Sequence, residues 1–152
     1  MREIYIEYGE EIFRFLRRML GSVEDAEDIL EETFITLLGT EEVSEKTLRQ
    51  FLYKIAYSRA VDFLRKKKRE KDFFDGYEYF QKEEKFDPLE IEEALLCLNE
   101  KERVAILLFF EDGYRYKEIS KIMDISIGTV KTLIHRGKEK LKSYFKGDRK
   151  NG

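Results

Sequence analysis

Apolar residues recur every three or four positions along most of this chain, the spacing of one face of an α-helix. The first such stripe comprises Ile4, Tyr8, Ile12, Phe15, Leu16 and Met19. Gly21 follows it and can end the helix, because glycine readily adopts a left-handed backbone. Ser22, with Asp25 three residues further on, resembles a capping box that opens a second helix. The pattern therefore predicts two helices joined by a tight turn.

A third helix is predicted at roughly residues 44–69, after a polar loop that begins at Gly39. Its inward positions are Leu48, Phe51, Leu52, Ile55, Ala56, Phe63 and Leu64. The chain contains no clean alternation of apolar and polar residues and no Asn-Gly turn, so strands are not expected. Three helices of this length can enclose a small core.

Residues 71–87, KDFFDGYEYFQKEEKFD, interrupt the helical pattern with acidic and aromatic side chains. Pro88 can then occupy the first turn of a helix, where no backbone donor is needed. Asn99, with Glu102 three residues on, predicts a further helix start. The prediction is an all-α chain of two small helical domains, at residues 1–70 and 88–146, joined by a flexible linker at residues 71–87.

The segment YKEISKIMDISIGTVKTLIHRGKEKL, at residues 116–141, predicts a helix-turn-helix. A short helix is followed by a turn at residues 124–126, and Ser126 can cap the next helix. The residues spaced to pack the two helices together are Ile119, Ile122, Ile125, Val130 and Ile134. The positions left to point outward are Lys131, Thr132, His135, Arg136 and Lys138. Small polar groups followed by cations suit the base edges and phosphates of a major groove.

The net charge of −3 conceals a strong segregation of charge along the chain. Residues 1–48 and 72–100 each carry a net charge of −8, whereas residues 49–71 carry +7 and residues 101–152 carry +6. Two basic blocks suit two nucleic-acid contacts, and the acidic surfaces between them can serve other partners. Two solvated helix faces, with cations complementing a helix dipole, are the alternative.

Catalytic or metal-binding chemistry finds little support in the sequence. There is no phosphate-binding GxxxxGK[ST] motif, no nucleophile elbow, and only one histidine and one cysteine. Cys97, in the apolar run ALLCL, is expected to be a small buried core residue. No cofactor or metal site is therefore predicted. The chain has no run of 18 apolar residues and no signal-peptide pattern, so we expect a cytoplasmic protein without a membrane span.

Three segments, in this order, resemble the extracytoplasmic-function (ECF) sigma factors of the sigma-70 family. They are DAEDILEETFITLL, FLYKIAYSRAVDFLRKKKR and the stretch from residue 94 to residue 141 that includes GTVK. The resemblance covers about residues 5–145. It implies two helical domains, sigma-2 and sigma-4, in a non-catalytic subunit that gives core RNA polymerase its promoter specificity.

The resemblance also implies roles for individual residues. An acidic helix would dock on the basic coiled coil of the polymerase β′ subunit through Asp25, Asp28, Glu31 and Glu32. The basic helix would engage the promoter −10 element through Tyr57, Ser58, Arg59, Asp62, Arg65 and Lys66. The recognition helix would read the −35 element through Ser126, Thr129, Lys131, Thr132, His135 and Arg136. The sigma-4 domain would sit on the β flap, and the resemblance further implies an anti-sigma factor.

Some positions depart from the family pattern. Leu38 and Phe51 stand where tryptophan is common, Ser58 replaces an asparagine that helps hold a flipped base, and Leu133 replaces an arginine. The loop at residues 39–47 also lacks the usual aromatic, glycine-containing form. A degenerate sigma-like protein that binds polymerase without opening promoters therefore remains an alternative. So do a stand-alone, dimeric helix-turn-helix regulator and a nucleic-acid-processing enzyme.

Overall fold

The structure is a computed structural model, and it describes residues 2–73 and 90–151. The chain forms two units, Met1–Asp87 and Pro88–Gly152. The first contains α1 (Arg2–Leu20), α2 (Val23–Leu38) and α3 (Glu45–Phe73). The second contains α4 (Glu90–Leu96), α5 (Glu100–Ile106), a π-helical turn (Leu107–Glu111), α6 (Tyr116–Met123) and α7 (Ile127–Asn151). The described residues include no strand, and the prediction of two all-α domains is confirmed.

The predicted linker lies almost wholly outside the described residues. Only its first three residues are described, and they continue α3 to Phe73. None of the helices at residues 2–73 and 90–151 has both the length and the hydropathy needed to cross a bilayer.

The first unit is a three-helix bundle in which every pair of helices is in contact. Its most deeply buried side chains include Ile12, Phe15, Leu16, Met19, Ala26, Ile29, Leu52, Tyr53 and Ala56. Gly21 has a φ of 75°, the left-handed conformation expected at the end of α1. Ser22 caps α2 by accepting a hydrogen bond from the Asp25 N–H (3.2 Å). The predicted boundary between α1 and α2 is therefore confirmed.

A polar cluster fastens α1 to α3. Glu11 accepts two hydrogen bonds from Nε of Arg49 (3.0 and 3.1 Å) and one from its Nη2 (3.0 Å). The hydroxyl of Tyr53 donates to the same carboxylate at 3.3 Å. A bidentate arginine–carboxylate pair is more directional than a simple ion pair, so it helps fix how α1 lies along α3.

In the second unit, α5 begins with the capping box that the sequence predicts. The Asn99 side chain accepts from the Glu102 N–H (2.8 Å), and the Glu102 side chain accepts from the Asn99 N–H (3.1 Å). Arg103 then reaches back to the end of α4, where its guanidinium donates to the carbonyls of Leu95 (2.9 Å) and Leu98 (3.0 Å). These bonds satisfy carbonyls that a helix end leaves without partners.

The expectation that Cys97 is buried is wrong, because its side chain is exposed. The run ALLCL has more apolar positions than one helix face can bury. Helix α4 ends at Leu96, so Cys97 falls in the turn that follows, while Leu95 and Leu98 take the core positions.

Candidate nucleic-acid interface

Helices α6 and α7 meet at the tight turn predicted for a helix-turn-helix. Asp124 adopts the left-handed conformation (φ 58°, ψ 50°), which aspartate tolerates better than most residues. The hydroxyl of Ser120 donates to the carbonyl of Ile125 and braces the turn. Ser126 caps α7, because its Oγ accepts from the Thr129 N–H at 3.1 Å. The start of the recognition helix is thus fixed by local hydrogen bonds.

One face of α7 is packed against the rest of the second unit. Its buried side chains are Val130, Leu133 and Ile134, and they lie with Ile119 and Ile122 in one core. Ile125 is only half-buried. Leu133, which stands where the family often has arginine, is 7% exposed and therefore serves packing.

The exposed side of α7 carries five of the residues predicted to read the −35 element, and the sixth, Ser126, is the exposed N-cap just before the helix. The six residues are Ser126, Thr129, Lys131, Thr132, His135 and Arg136. The Thr132 hydroxyl donates to the carbonyl of Gly128 (3.1 Å), which leaves its oxygen available as an acceptor. The hydroxyls of Ser126 and Thr129 lie 2.9 Å apart and share a hydrogen bond. The remaining donors, Lys131, His135 and Arg136, are the side chains best suited to reach DNA.

The residues predicted to engage the −10 element lie along α3 but differ in exposure. Ser58, Asp62, Arg65 and Lys66 are exposed, and Asp62 lies 3.6 Å from Arg65. Arg59 is half-buried, and its Nε is enclosed with no acceptor among the described residues. Tyr57 is only 8% exposed and packs in the core, which leaves it little surface to offer DNA.

The acidic helix α2 presents three of its four predicted docking residues. Asp28, Glu31 and Glu32 are exposed. Asp25 instead contacts Nζ of Lys67 at 3.1 Å, in an ion pair that joins the start of α2 to the basic part of α3. The Lys67 ammonium also lies 5.3 Å from the centre of the Phe63 ring. Much of the Asp25 charge is thus engaged within the unit.

Two apolar residues on α2 extend this surface, and reasoning from the sequence missed them. Ile35 is 60% exposed and Leu38 is 63% exposed. Ile35 lies seven residues after Asp28 and four after Glu31, and Leu38 lies ten and seven residues after them, so all four are on the same side of the helix. That spacing was the available signal, because it separates both residues from the buried stripe of α2. The outer face of α2 is therefore acidic in its middle and apolar toward its end.

The position of α7 is set by close contacts with α5. Gly137 is buried, and a Cβ atom there would lie 2.6 Å from Cγ1 of Ile106. Glu102, which is 2% exposed, accepts a hydrogen bond from Nζ of Lys140 at 2.8 Å. Burial raises the pKa of Glu102, but the bonds from Lys140 and the Asn99 backbone, with the charges of Lys140 and Arg136, outweigh it and lower the pKa below its ordinary value.

Helices α4 and α7 also meet, where the Tyr144 hydroxyl lies 3.2 Å from Oε1 of Glu93. Cys97 lines a shallow groove beside this contact, together with Glu139, Lys140, Ser143 and Tyr144. Within the described part of the chain, no group of three or more histidine, cysteine or carboxylate side chains is placed to hold a metal ion.

Comparison with protein families gives two matches that follow each other along the chain. The family described as "Sigma-70 region 2" matches residues 4–70, and "Sigma-70, region 4" matches residues 89–141. The first match contains α1, α2 and most of α3, and the second contains the helix-turn-helix. Two such regions in one chain do not favour a stand-alone helix-turn-helix regulator.

Two solved structures share the fold. One is the sigma factor RpoE in complex with the anti-sigma factor NepR from Bartonella quintana, with a TM-score of 0.78 and 22% identity, over 95% of this chain and 96% of that one. The other is CnrH in complex with the cytosolic domain of CnrY, with a TM-score of 0.70 and 16% identity, over 96% and 87% of the two chains. At these identities the likeness concerns the fold alone.

Curated relatives are similar at the level of sequence. The ECF RNA polymerase sigma factor SigW of Bacillus subtilis is 32% identical, over 91% of this chain and 85% of the relative. SigM of the same organism is 30% identical, over 94% and 93%. The similarity covers most of this chain and most of each relative, and the two sigma-70 regions follow each other in order. The chain therefore belongs to the ECF sigma factors of the sigma-70 family.

Proposed function

We propose that this protein directs core RNA polymerase to specific promoters and supports the initiation of transcription there. The observation that carries the proposal is the exposed surface formed by α7 and its N-cap, where all six predicted −35 residues are accessible to solvent. A helix held in this way can enter a major groove with its outward side chains against the base edges. Arg136 is the donor suited to a bidentate contact with guanine.

The second DNA contact in this proposal is α3, at the −10 element. One exposed stripe at helical spacing comprises Lys54, Ser58, Asp62, Arg65 and Arg69, and Lys66 lies beside it. An enclosed donor without an acceptor costs free energy, and Nε of Arg59 is such a donor among the described residues. Rotation of Arg59 toward a phosphate would relieve that cost. This makes Arg59 our preferred phosphate contact on α3.

The third surface is the outer face of α2, which we propose as the polymerase docking site. Exposed carboxylates at Asp28, Glu31 and Glu32 complement a basic partner, and charge complementarity mainly raises the rate and selectivity of association. Ile35 and Leu38 supply apolar area beside these charges. We assign this face to the basic coiled coil of β′, and we assign sigma-4 to the β flap.

Regulation by an anti-sigma factor is part of the proposal. It is supported by the fold shared with RpoE and CnrH, whose structures were solved with the partners NepR and CnrY. We place the protein in the cytoplasm, with polymerase, and we assign it no reaction of its own, since polymerase would supply the chemistry. No cofactor is needed in this scheme.

Reconstituted transcription tests the proposal. Purified full-length protein is added to core polymerase and to a library of fragments from the source genome, and transcript starts are mapped. We expect starts that share two upstream elements and that require this protein. Absence of any such start would exclude a sigma function. A palindromic footprint formed without polymerase would support the regulator instead.

A further inference from the structure

Glu102 is an almost fully buried carboxylate at the junction of α5 and α7. Carboxylates are rarely buried unless they are paired, because loss of hydration is costly. Oε1 of Glu102 has two partners on different elements: the Asn99 N–H at the start of α5 (3.1 Å) and Nζ of Lys140 on α7 (2.8 Å). One side chain thus links the capping box of α5 to the recognition helix.

A second contact lies about one turn away on both helices. Ile106, four residues after Glu102, is in contact with Gly137, three residues before Lys140. The fit is so close that no Cβ could be accommodated at Gly137 without movement. Two contacts on two helices fix both the slide of α7 along α5 and the rotation of α7 about its axis. Rotation matters because α7 is one helix, so any turn at Lys140 also turns Arg136.

Glu102 also acts on charge at the recognition surface. Its carboxylate attracts Arg136 as well as Lys140. Lys140 is 47% exposed, so without Glu102 its ammonium would be available to any nearby phosphate. The pairing therefore removes one cation from the set that binds DNA regardless of sequence.

We propose that Glu102 is a positioning residue for −35 recognition, which holds Lys140 and thereby sets the rotation of α7 and the direction of Arg136. This inference rests on the proposed function, in which α7 reads the −35 element. It predicts that loss of the Glu102 charge weakens specific binding and strengthens non-specific binding. A residue that only stabilised the fold would not change these two affinities in opposite directions.

The test uses Glu102→Gln in the full chain, assembled with core polymerase. Glutamine retains an oxygen for the Asn99 N–H but removes the charge that pairs with Lys140. Glu139→Gln is the matched control, because Glu139 is an exposed carboxylate on α7 that lies 3.8 Å from Lys142. The probes are a promoter fragment recovered in the reconstituted transcription and the same fragment with its −35 element scrambled.

We expect Glu102→Gln to lower the ratio of specific to non-specific affinity about tenfold, the size of one mismatched base pair. The salt dependence of non-specific binding should steepen by about one unit, as one cation becomes available. Glu139→Gln should leave the ratio within about twofold, which is small on the same scale. Thermal unfolding of each variant, measured first, sets a temperature at which all are folded.

Lys140→Met removes the same ion pair from the other side and leaves both capping-box bonds in place. It should lower the ratio as well, without a steeper salt dependence. The inference would be overturned if Glu102→Gln and Lys140→Met left the ratio of specific to non-specific affinity unchanged. It would also be overturned if they lowered the affinity for the two fragments equally. Should the unaltered protein itself fail to distinguish the two fragments, the proposed −35 reading fails first and the inference with it.

Discussion

Glu102 makes the stability of the second unit sensitive to acid. Its pKa is lowered in the folded protein, so the unfolded chain binds a proton at a pH where the folded chain does not. The stabilisation is therefore present above the unfolded pKa and is lost as pH falls through the lower, folded pKa. We expect protection of α5 and α7 amides from hydrogen exchange to fall as the pH drops below the ordinary pKa of a glutamate.

Glu102→Gln should be less stable than the unaltered protein at neutral pH and should lose less stability over that acid range. Glu139→Gln, which changes an exposed carboxylate on α7, should follow the unaltered protein. Parallel acid profiles for Glu102→Gln and the unaltered protein would contradict the assignment of this acid sensitivity to Glu102.

Arg136 is the residue for which base reading and phosphate binding can be separated. If it contacts a guanine edge, Arg136→Ala should cost about 1–3 kcal/mol at a promoter with a matched −35 element and much less at a scrambled one. Lys142→Ala, which removes an exposed cation further along α7, is the control. Equal losses at both fragments for Arg136→Ala would mean a phosphate contact only. Holoenzyme binding to both fragments, measured at one salt concentration, decides between them.

The sequence predicts the types of residue at the interface better than their burial. All six proposed −35 residues are exposed. Five of them lie within α7, where the 3.6-residue period separates them from the apolar stripe, and Ser126 is the N-cap before it. On α3 and α2, the helical period predicts the exposure of the proposed site residues less well. Tyr57 is buried and Asp25 pairs with Lys67, and both outcomes depend on the helix packed alongside. A one-dimensional pattern contains no information about that neighbour.

At the scale of elements, Gly137 controls how closely α7 approaches α5. Gly137→Ala would place a Cβ 2.6 Å from Cγ1 and 3.0 Å from Cδ1 of Ile106, which is itself buried. Overpacking of this kind typically costs about 1–3 kcal/mol. We expect the melting temperature of the second unit to fall, although alanine is intrinsically the better helix former.

Gly147→Ala is the matched control, because Gly147 lies on the same helix and a Cβ there would have nothing within 4 Å. It should be neutral or stabilising by up to about 1 kcal/mol. If the contact is the cause, Ile106→Ala, which removes both Cγ1 and Cδ1, should destabilise the protein less in the Gly137→Ala background than in the unaltered protein. Equal destabilisation of both glycine variants would contradict the packing argument, because the Cβ added at Gly147 has no neighbour within 4 Å.

Helix positions were predictable from the sequence for a physical reason that does not extend to helix contacts. Caps such as Ser22, Asn99 and Ser126 act over three residues, so a local pattern identifies them. The contact between Gly137 and Ile106 and the ion pair of Glu102 with Lys140 join residues more than thirty positions apart. From the sequence alone, Gly137 is only a residue of low helix propensity within a helix, and its contact with Ile106 is not visible.

At the scale of the whole molecule, we propose that the acidic surface binds polymerase and that the basic surfaces bind DNA. The outer face of α2 is acidic, whereas the exposed faces of α3 and α7 carry most of the cations. Opposite charge on separate surfaces lets one chain bind a polyanion and a basic protein without either surface repelling its own partner. It also means that mutation can weaken the binding of one partner without weakening the binding of the other.

Reversal of charge on α2 is therefore expected to weaken polymerase binding selectively. In Asp28→Lys, Glu31→Lys, Glu32→Lys, affinity for core polymerase should fall at least tenfold at low salt, mainly through slower association. The difference should shrink as salt rises, because exposed charges are screened. Surface plasmon resonance with immobilised core polymerase would measure both rates.

The control is the same charge change on another face of the first unit, Glu3→Lys, Glu7→Lys, Glu10→Lys, since these three residues of α1 are also exposed. If net charge alone governed association, both triple variants would bind polymerase equally poorly. If α2 is the docking face, the α1 variant should keep an association rate close to that of the unaltered protein. Ile35→Ser should then raise the dissociation rate, because it removes apolar area beside the charges without changing long-range attraction.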